Sequence, residues 1–321
     1  MWIKAIQAID TPQGRLMPGD VGEVYDPLGV YMKMRGRATH AQEPKNLSEL
    51  LHLRLTNGAG EACVFSPYLG EFGHAIMWHM RLVDFHGATR KVVCTRRGWE
   101  VLYPTADAFD YDWVDPVEDQ QRAGTDRMLR EWPAIERRHP GHRLIQSGNT
   151  SLSVETITLC PGRQIKLAPK LRGIRADVCI GTRARKMDVT KNWSHWQRVA
   201  AALQARGLTV AVIGTRDNSY PIPGAIMSGD YGDVDAAVEL LQNCRLYLGT
   251  DSGSSHLASI CGPQMLVLPV QVSKRYLPRM QEANPSRVEF FPDACWDNPE
   301  LAIQLAVERA GEVGASCKLA S

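Results

Sequence analysis

The run Leu248-Gly249-Thr250-Asp251-Ser252-Gly253-Ser254-Ser255-His256-Leu257-Ala258-Ser259 sets an acid, several hydroxyls, a turn glycine and a histidine where an apolar strand hands over to a helix. Backbone N–H groups at a helix start lack intrahelical partners and favour negative charge, and Ser or Asp side chains can cap or bind within the same few residues. Such a junction suits a phosphorylated ligand. Ser252 can meet a phosphate through its hydroxyl or its N–H, and Gly253 keeps the backbone open to that approach. His256 can donate to phosphate or ribose, or simply cap or pack. A second strand end, Ile180-Gly181-Thr182-Arg183-Ala184-Arg185-Lys186, adds two guanidiniums with paired donors and one compact ammonium. Its plain alternative is a solvated basic turn.

These side chains need elements to hold them, and the second half of the chain alternates strand with helix. Residues 177–181, 208–214, 246–249 and 264–269 read as apolar strands. A helix with Trp196, Val199, Ala200 and Leu203 at helical spacing follows the first, and one over 234–242, capped by Asp233, precedes the third. The alternation predicts a parallel sheet covered on both faces, with both candidate turns at the carboxyl ends of its strands. In the first half, Cys63-Val64-Phe65 reads as a strand, followed by the loop Ser66-Pro67-Tyr68-Leu69-Gly70-Glu71-Phe72-Gly73-His74 and a helix over 75–81. Its glycines permit close backbone approach to a ligand or only the turn itself. Residues 91–95 predict a second strand, 107–116 an irregular loop, and 126–138 a helix. A crossover near His139-Pro140-Gly141 is where the first domain is expected to begin giving way to the second. Turn signals in residues 1–45 separate short runs, among them 21–25 and 30–34, that read as antiparallel strands.

The C-terminal half resembles retaining or inverting nucleotide-sugar glycosyltransferases, most closely the ADP-heptose lipopolysaccharide heptosyltransferase family. The resemblance rests on Val212-Ile213-Gly214-Thr215, the stretch Asn243-Cys244-Arg245-Leu246-Tyr247-Leu248-Gly249, the motif Thr250-Asp251-Ser252-Gly253-Ser254-Ser255-His256-Leu257-Ala258, and Gly262 with the strand to Pro269. Where the family has Pro-Met before the histidine, this chain has Ser254-Ser255. The resemblance implies an α/β, GT-B-like fold of two facing Rossmann-like domains, here with a small N-terminal β-rich addition. The expected divisions are 1–50 for the addition, 51–165 for the acceptor-side domain and 166–321 for the donor-binding domain. It assigns Asp251, Ser252, Gly253 and His256 to donor binding, with Gly214 beside them. Thr182, Arg183, Arg185 and Lys186 resemble the loop that meets donor phosphates. Gly70 and Gly73 resemble the N-terminal glycine loop of such enzymes, near the acceptor.

Moving a sugar off a nucleoside diphosphate builds negative charge on the leaving pyrophosphate and positive character at the sugar carbon. The cationic turn answers the first, and a general base on the acceptor side activates the attacking hydroxyl. Glu71 and His74 are the candidate bases, although Glu71 can instead brace its loop and His74 can cap a helix or touch a phosphate. Asp107, Asp110 and Asp112 are the outsiders. The histidines and cysteines form no metal-ligand motif, and Asp230, Asp233 and Asp235 read as capping or solvated groups, so the expectation is a reaction needing no metal and no cofactor beyond the sugar donor. The predicted activity is glycosyl transfer to a hydroxyl acceptor, either a glycan or a modified DNA base. The competing reading is a catalytically inactive nucleotide- or glycan-binding structural protein.

Composition bounds these choices. At 321 residues, with 44% hydrophobic and 22% charged residues, the chain can build two domains and is not a disordered tail. A formal charge of +2 lacks the strongly basic character of dedicated nucleic-acid binders, while local clusters such as Arg96-Arg97 keep a DNA acceptor in play. The eight cysteines include no C-x-x-C pair and read as buried thiols. No stretch reaches membrane-spanning length and the start lacks the apolar core of a signal peptide, which predicts a cytoplasmic protein.

Overall fold

The computed structural model describes residues 56, 58–68, 72–112, 125–145, 165–186, 189–270 and 288–318, together with five short strands in residues 2–40. Those strands are β1 (Trp2–Ala5), β2 (Ile9–Thr11), β3 (Gly14–Leu16), β4 (Val21–Glu23) and β5 (Ala38–His40). β1 lies between β4 and β5, antiparallel to both, and β2 pairs β3 as a hairpin. The expected strand over 30–34 falls outside the described residues. The chain divides into two units, Met1–Arg97 with Thr105–Leu159 and Gly98–Pro104 with Cys160–Ser321.

In the first unit, β6 (Ala62–Phe65), β7 (Arg90–Cys94), β8 (Ala108–Asp110) and β9 (Arg143–Ile145) form a parallel sheet in the order β8-β7-β6-β9. Two sequence expectations change here. The aromatic and acidic run 107–116, expected as an irregular loop, contributes β8, a three-residue edge strand whose last residue, Asp110, is fixed by hydrogen bonds from Arg138 and His139. The turn at His139-Pro140-Gly141 does not lead away from the first sheet but returns the chain to it, because Leu144 and Ile145 are buried in β9 beside β6.

Helix α1 (Phe72–His74) runs into a π-helical turn over Ala75–His79 and on into α2 (Met80–Phe85). Residues from Ala75 to Val83 are buried all round, including His79 and Arg81, so this segment runs through the interior rather than along a surface. Lys91 of β7 closes its far end, its ammonium donating to the carbonyls of Val83 at 2.6 Å and Asp84 at 3.1 Å, the negative pole of the helix. Helix α3 (Thr125–Arg138) lays Trp132 and Ile135 against Val64, Val92 and Leu144.

The second unit carries β10 (Val178–Gly181), β11 (Val210–Val212), β12 (Ile226–Met227), β13 (Leu246–Thr250), β14 (Gln264–Leu268) and β15 (Val288–Phe290), all parallel in the order β12-β11-β10-β13-β14-β15. Counted from β10, this is the doubly wound order 3-2-1-4-5-6, which reverses direction between β10 and β13. Its helices are α4 (Trp196–Gln204), α5 (Val234–Asn243), α6 (Gly253–Cys261) and α7 (Pro299–Lys318). Strand alternation sends Val178, Ile180, Leu246 and Leu248 into one core with α4 and α7. Tyr247 points to the other face and meets α6. Asp233 caps α5 as expected, accepting from the Ala236 N–H. Two parallel-sheet α/β units with an N-terminal β addition make a GT-B-like fold.

Among the described cysteines Cys63, Cys94, Cys179, Cys244 and Cys295 are buried, and burial lifts the Cys63 thiol to about 11, as befits packed thiols. No described helix is long and apolar enough to cross a membrane.

Candidate functional site

The chain reversal in the second sheet puts the ends of β10 and β13 side by side, with Gly181 opposite Gly249. Ligands of open α/β sheets bind in the crevice at such a point. Both predicted turns start here: Thr182 to Lys186 leaves β10, and Asp251 to His256 leaves β13.

The first turn is stitched in place. Thr182 exchanges bonds with Tyr220, its hydroxyl donating to the Tyr220 carbonyl at 2.8 Å and its carbonyl accepting the Tyr220 N–H at 2.7 Å. Arg183 bridges to Ser219, and its buried guanidinium donates to Asn192 Oδ1 at 2.8 Å. Asn192 also accepts the Arg185 N–H at 3.2 Å and donates to the Arg185 carbonyl at 2.7 Å. Arg183 is thus an internal strut of the turn, whereas Lys186 is exposed. Gly214 lies two residues beyond β11, where a Cβ would sit 2.2 Å from Ser219 Oγ, so the glycine lets this neighbouring loop close.

In the second turn Asp251 is buried, and one carboxylate oxygen accepts from Lys191 Nζ at 2.9 Å. His256, only 5% exposed, places Nε2 3.7 Å from the other oxygen. Ser252 occupies the N-cap position of α6 in an extended conformation but makes no side-chain cap bond. Its hydroxyl instead meets Ser254 Oγ at 2.9 Å, and the Ser255 hydroxyl donates to the Thr250 carbonyl. Gly253 opens the helix. An ammonium, a histidine and a helix start without a side-chain cap therefore surround one carboxylate, an arrangement able to take an anion while Asp251 fixes the cation.

In the first unit, Gly73 is buried in α1 and His74 precedes the π-helical turn. Gly70 and Glu71 lie outside the described residues. Of the other acids, Asp107 accepts the Lys91 N–H at 2.7 Å, while Asp110 accepts from Arg138 Nη2 and His139 Nε2, each at 2.8 Å. Burial pushes the Asp110 carboxyl up, but these bonds and the Asp112 N–H outweigh it and leave it below the ordinary carboxylate value. Both acids are tied into the sheet, and Asp112 is exposed.

Sequence spacing does not single out Lys191, Asn192 or Tyr247. Lys191 and Asn192 sit in a polar stretch with no pattern, and only the folded turn brings them to Asp251 and Arg183. Tyr247 looks like one more core residue in an apolar strand. Its one signal is alternation, which sets it on the same face as Gly249.

No protein-family model and no curated protein matches the chain. Its structure is similar, at low identity and moderate TM-score, to glycosyltransferases of the heptosyltransferase family. The iron-containing dodecameric glycosyltransferase TibC from enterotoxigenic E. coli H10407 is 17% identical with a TM-score of 0.41, over 65% of this chain and 58% of TibC, so this chain spans under two thirds of that protein. The iron-containing heptosyltransferase TibC in complex with ADP-D-beta-D-heptose is 16% identical with a TM-score of 0.47, over 88% of this chain and 82% of that one. A family 9 glycosyl transferase from Veillonella parvula DSM 2008 is 13% identical with a TM-score of 0.49, over 82% of this chain and 99% of that one. Likenesses this distant assign no substrate or residue role, and the fold stands on the strand order itself.

The comparison with TibC corrects one expectation. Two of these similar glycosyltransferase structures are iron-containing, which overturns the reading that no metal is required. Among the described residues no group of three or more His, Cys, Asp or Glu side chains is placed to hold a metal ion.

Proposed function

We propose that this protein is a glycosyltransferase that moves a sugar from a nucleoside-diphosphate sugar to a hydroxyl acceptor. The observation that carries the reading is the Lys191–Asp251 pair at 2.9 Å, with His256 beside it, where the start of α6 opens at the reversal of a doubly wound sheet. As the bond between sugar and phosphate breaks, negative charge grows on the pyrophosphate. Amides at a helix start, a fixed ammonium and a histidine N–H stabilise that charge more than the ground state, which is how such a site lowers a barrier. Asp251 is the anchor of Lys191 rather than the base, because its carboxylate is committed to the ammonium. Arg183 supports the reading indirectly by holding the turn, and Arg185 and Lys186 supply nearby charge. On the acceptor side the base is Glu71 or His74, and the acceptor is a glycan or a modified DNA base.

Titration calorimetry with ADP, GDP, UDP, CDP and TDP, with and without magnesium, tests the donor site. Selective binding of one diphosphate, followed by transfer or hydrolysis of a matching nucleotide sugar, is the expected result. Binding without any turnover would leave a nucleotide-binding protein, and no binding at all would remove the donor site.

A further inference from the structure

Beneath the first turn of α6 lies a chain of hydroxyls that neither capping nor core packing accounts for. Tyr247 is fully buried, and its phenol oxygen lies 2.8 Å from Ser254 Oγ and 3.2 Å from Ser255 Oγ. Ser254 Oγ is 2.9 Å from Ser252 Oγ, and Ser255 donates to the Thr250 carbonyl. Room for the phenol exists because the last residue of β10 and the penultimate residue of β13 are glycine. A Cβ on Gly181 would lie 2.1 Å from the Tyr247 oxygen and one on Gly249 would lie 2.5 Å from it.

Resting on the donor-site reading above, we propose that Tyr247 is a positioning residue, the blunt end of a hydroxyl relay that turns the Ser252 O–H toward a ligand phosphate. Proton counting fixes one end of this network. A carbonyl only accepts, so Ser255 commits its proton to Thr250 and is an acceptor toward its other neighbours. The contacts between Tyr247, Ser254 and Ser252 can run either way. If Ser252 is to donate outward to an anion, Ser254 donates to Ser252 and Tyr247 donates to Ser254. Ser252 and Ser254 then each accept one bond and give one, and every donation polarises the next. Burial raises the phenol to about 12 although its contacts with the serines pull the other way, so it keeps its proton across the working pH range. Phenylalanine in its place would leave the ring but remove the proton that sets the direction.

The test compares wild type, Tyr247→Phe, Ser254→Ala and the double variant, titrated with the five nucleoside diphosphates and their parent nucleosides, with circular dichroism melting as the check on folding. Losing one relay bond should weaken the bound diphosphate by roughly three- to tenfold and leave the nucleoside unchanged. The double variant should lose no more than the weaker-binding single, since the two groups act through one chain. Ser254→Ala, at a half-exposed position, carries the same comparison if Tyr247→Phe folds poorly. Equal losses for diphosphate and nucleoside, or unchanged affinities in both single variants, would overturn the relay while leaving the donor site intact. A wild type that binds none of the diphosphates would overturn the donor site and the relay together.

Discussion

Lys191 and Asn192 divide the work at the two turns, and single substitutions should separate them. Lys191 pairs with a carboxylate that is only 6% exposed, so its ammonium is held where an anion would arrive. Charge-assisted bonds of this kind are worth about 1.5–3 kcal/mol. Lys191→Met should therefore weaken diphosphate binding by at least about tenfold and flatten its dependence on salt. Calorimetry at two ionic strengths reads both effects, and an unchanged affinity would take Lys191 out of the site. Asn192 makes three bonds to Arg183 and Arg185. Asn192→Ala should cost roughly 1–3 kcal/mol of stability in urea melts, because Arg183 would keep its buried charge and lose this acceptor. The motif around Asp251 is legible in the sequence because its residue types are unusual for a strand end. Lys191 is not legible, since its meaning comes from a distance of 60 positions along the chain.

Elements were readable where one local force dominates. The strands of the second unit are apolar and its helices keep their spacing, and Asp233 sits where a cap belongs. β8 was hidden because three residues at a sheet edge need little hydrophobicity, and their place is set by pairing with β7. The segment 165–176 was equally silent, having neither period nor regular structure. It is held on α5 by acids whose partners are backbone groups: buried Glu239 accepts the N–H groups of Arg172 and Gly173, each at 2.8 Å, and Asp235 accepts that of Lys170 at 2.7 Å. Glu239→Gln keeps the size but puts a donor against a donor. It should lower unfolding free energy by about 1–3 kcal/mol and expose this segment to protease before the sheet opens. Cleavage no faster than in wild type would show that the segment is held by other contacts.

At the scale of the whole chain, alternation of strand and helix announces parallel sheets, and right-handed crossovers then restrict how the strands can be ordered. The reversal between β10 and β13 is still a tertiary fact, settled by which helices cover which face. The same interior that fixes the sheets also sets how the protein responds to acid. His79 lies fully buried in the π-helical turn with its ring stacked near Tyr68, and burial drives its imidazole from 6.5 down to about 3, against a Ser66 backbone bond that favours the charged form. The unfolded chain thus binds a proton below pH 6.5 that the folded chain refuses until about 3. Stability must rise with pH across that window and fall on acidification, with a slope approaching about 1.4 kcal/mol per pH unit. Asp110 and Asp177 have depressed carboxyls, so their contributions are present above the usual carboxylate value and fade only at lower pH. A loss of stability between pH 6.5 and 5 lies above the range of these two carboxyls, and replacing His79 assigns it. Urea unfolding of wild type and His79→Phe, which keeps a ring beside Tyr68, should give a sloping profile for the first and a nearly flat one for the second; parallel slopes would place the proton uptake elsewhere.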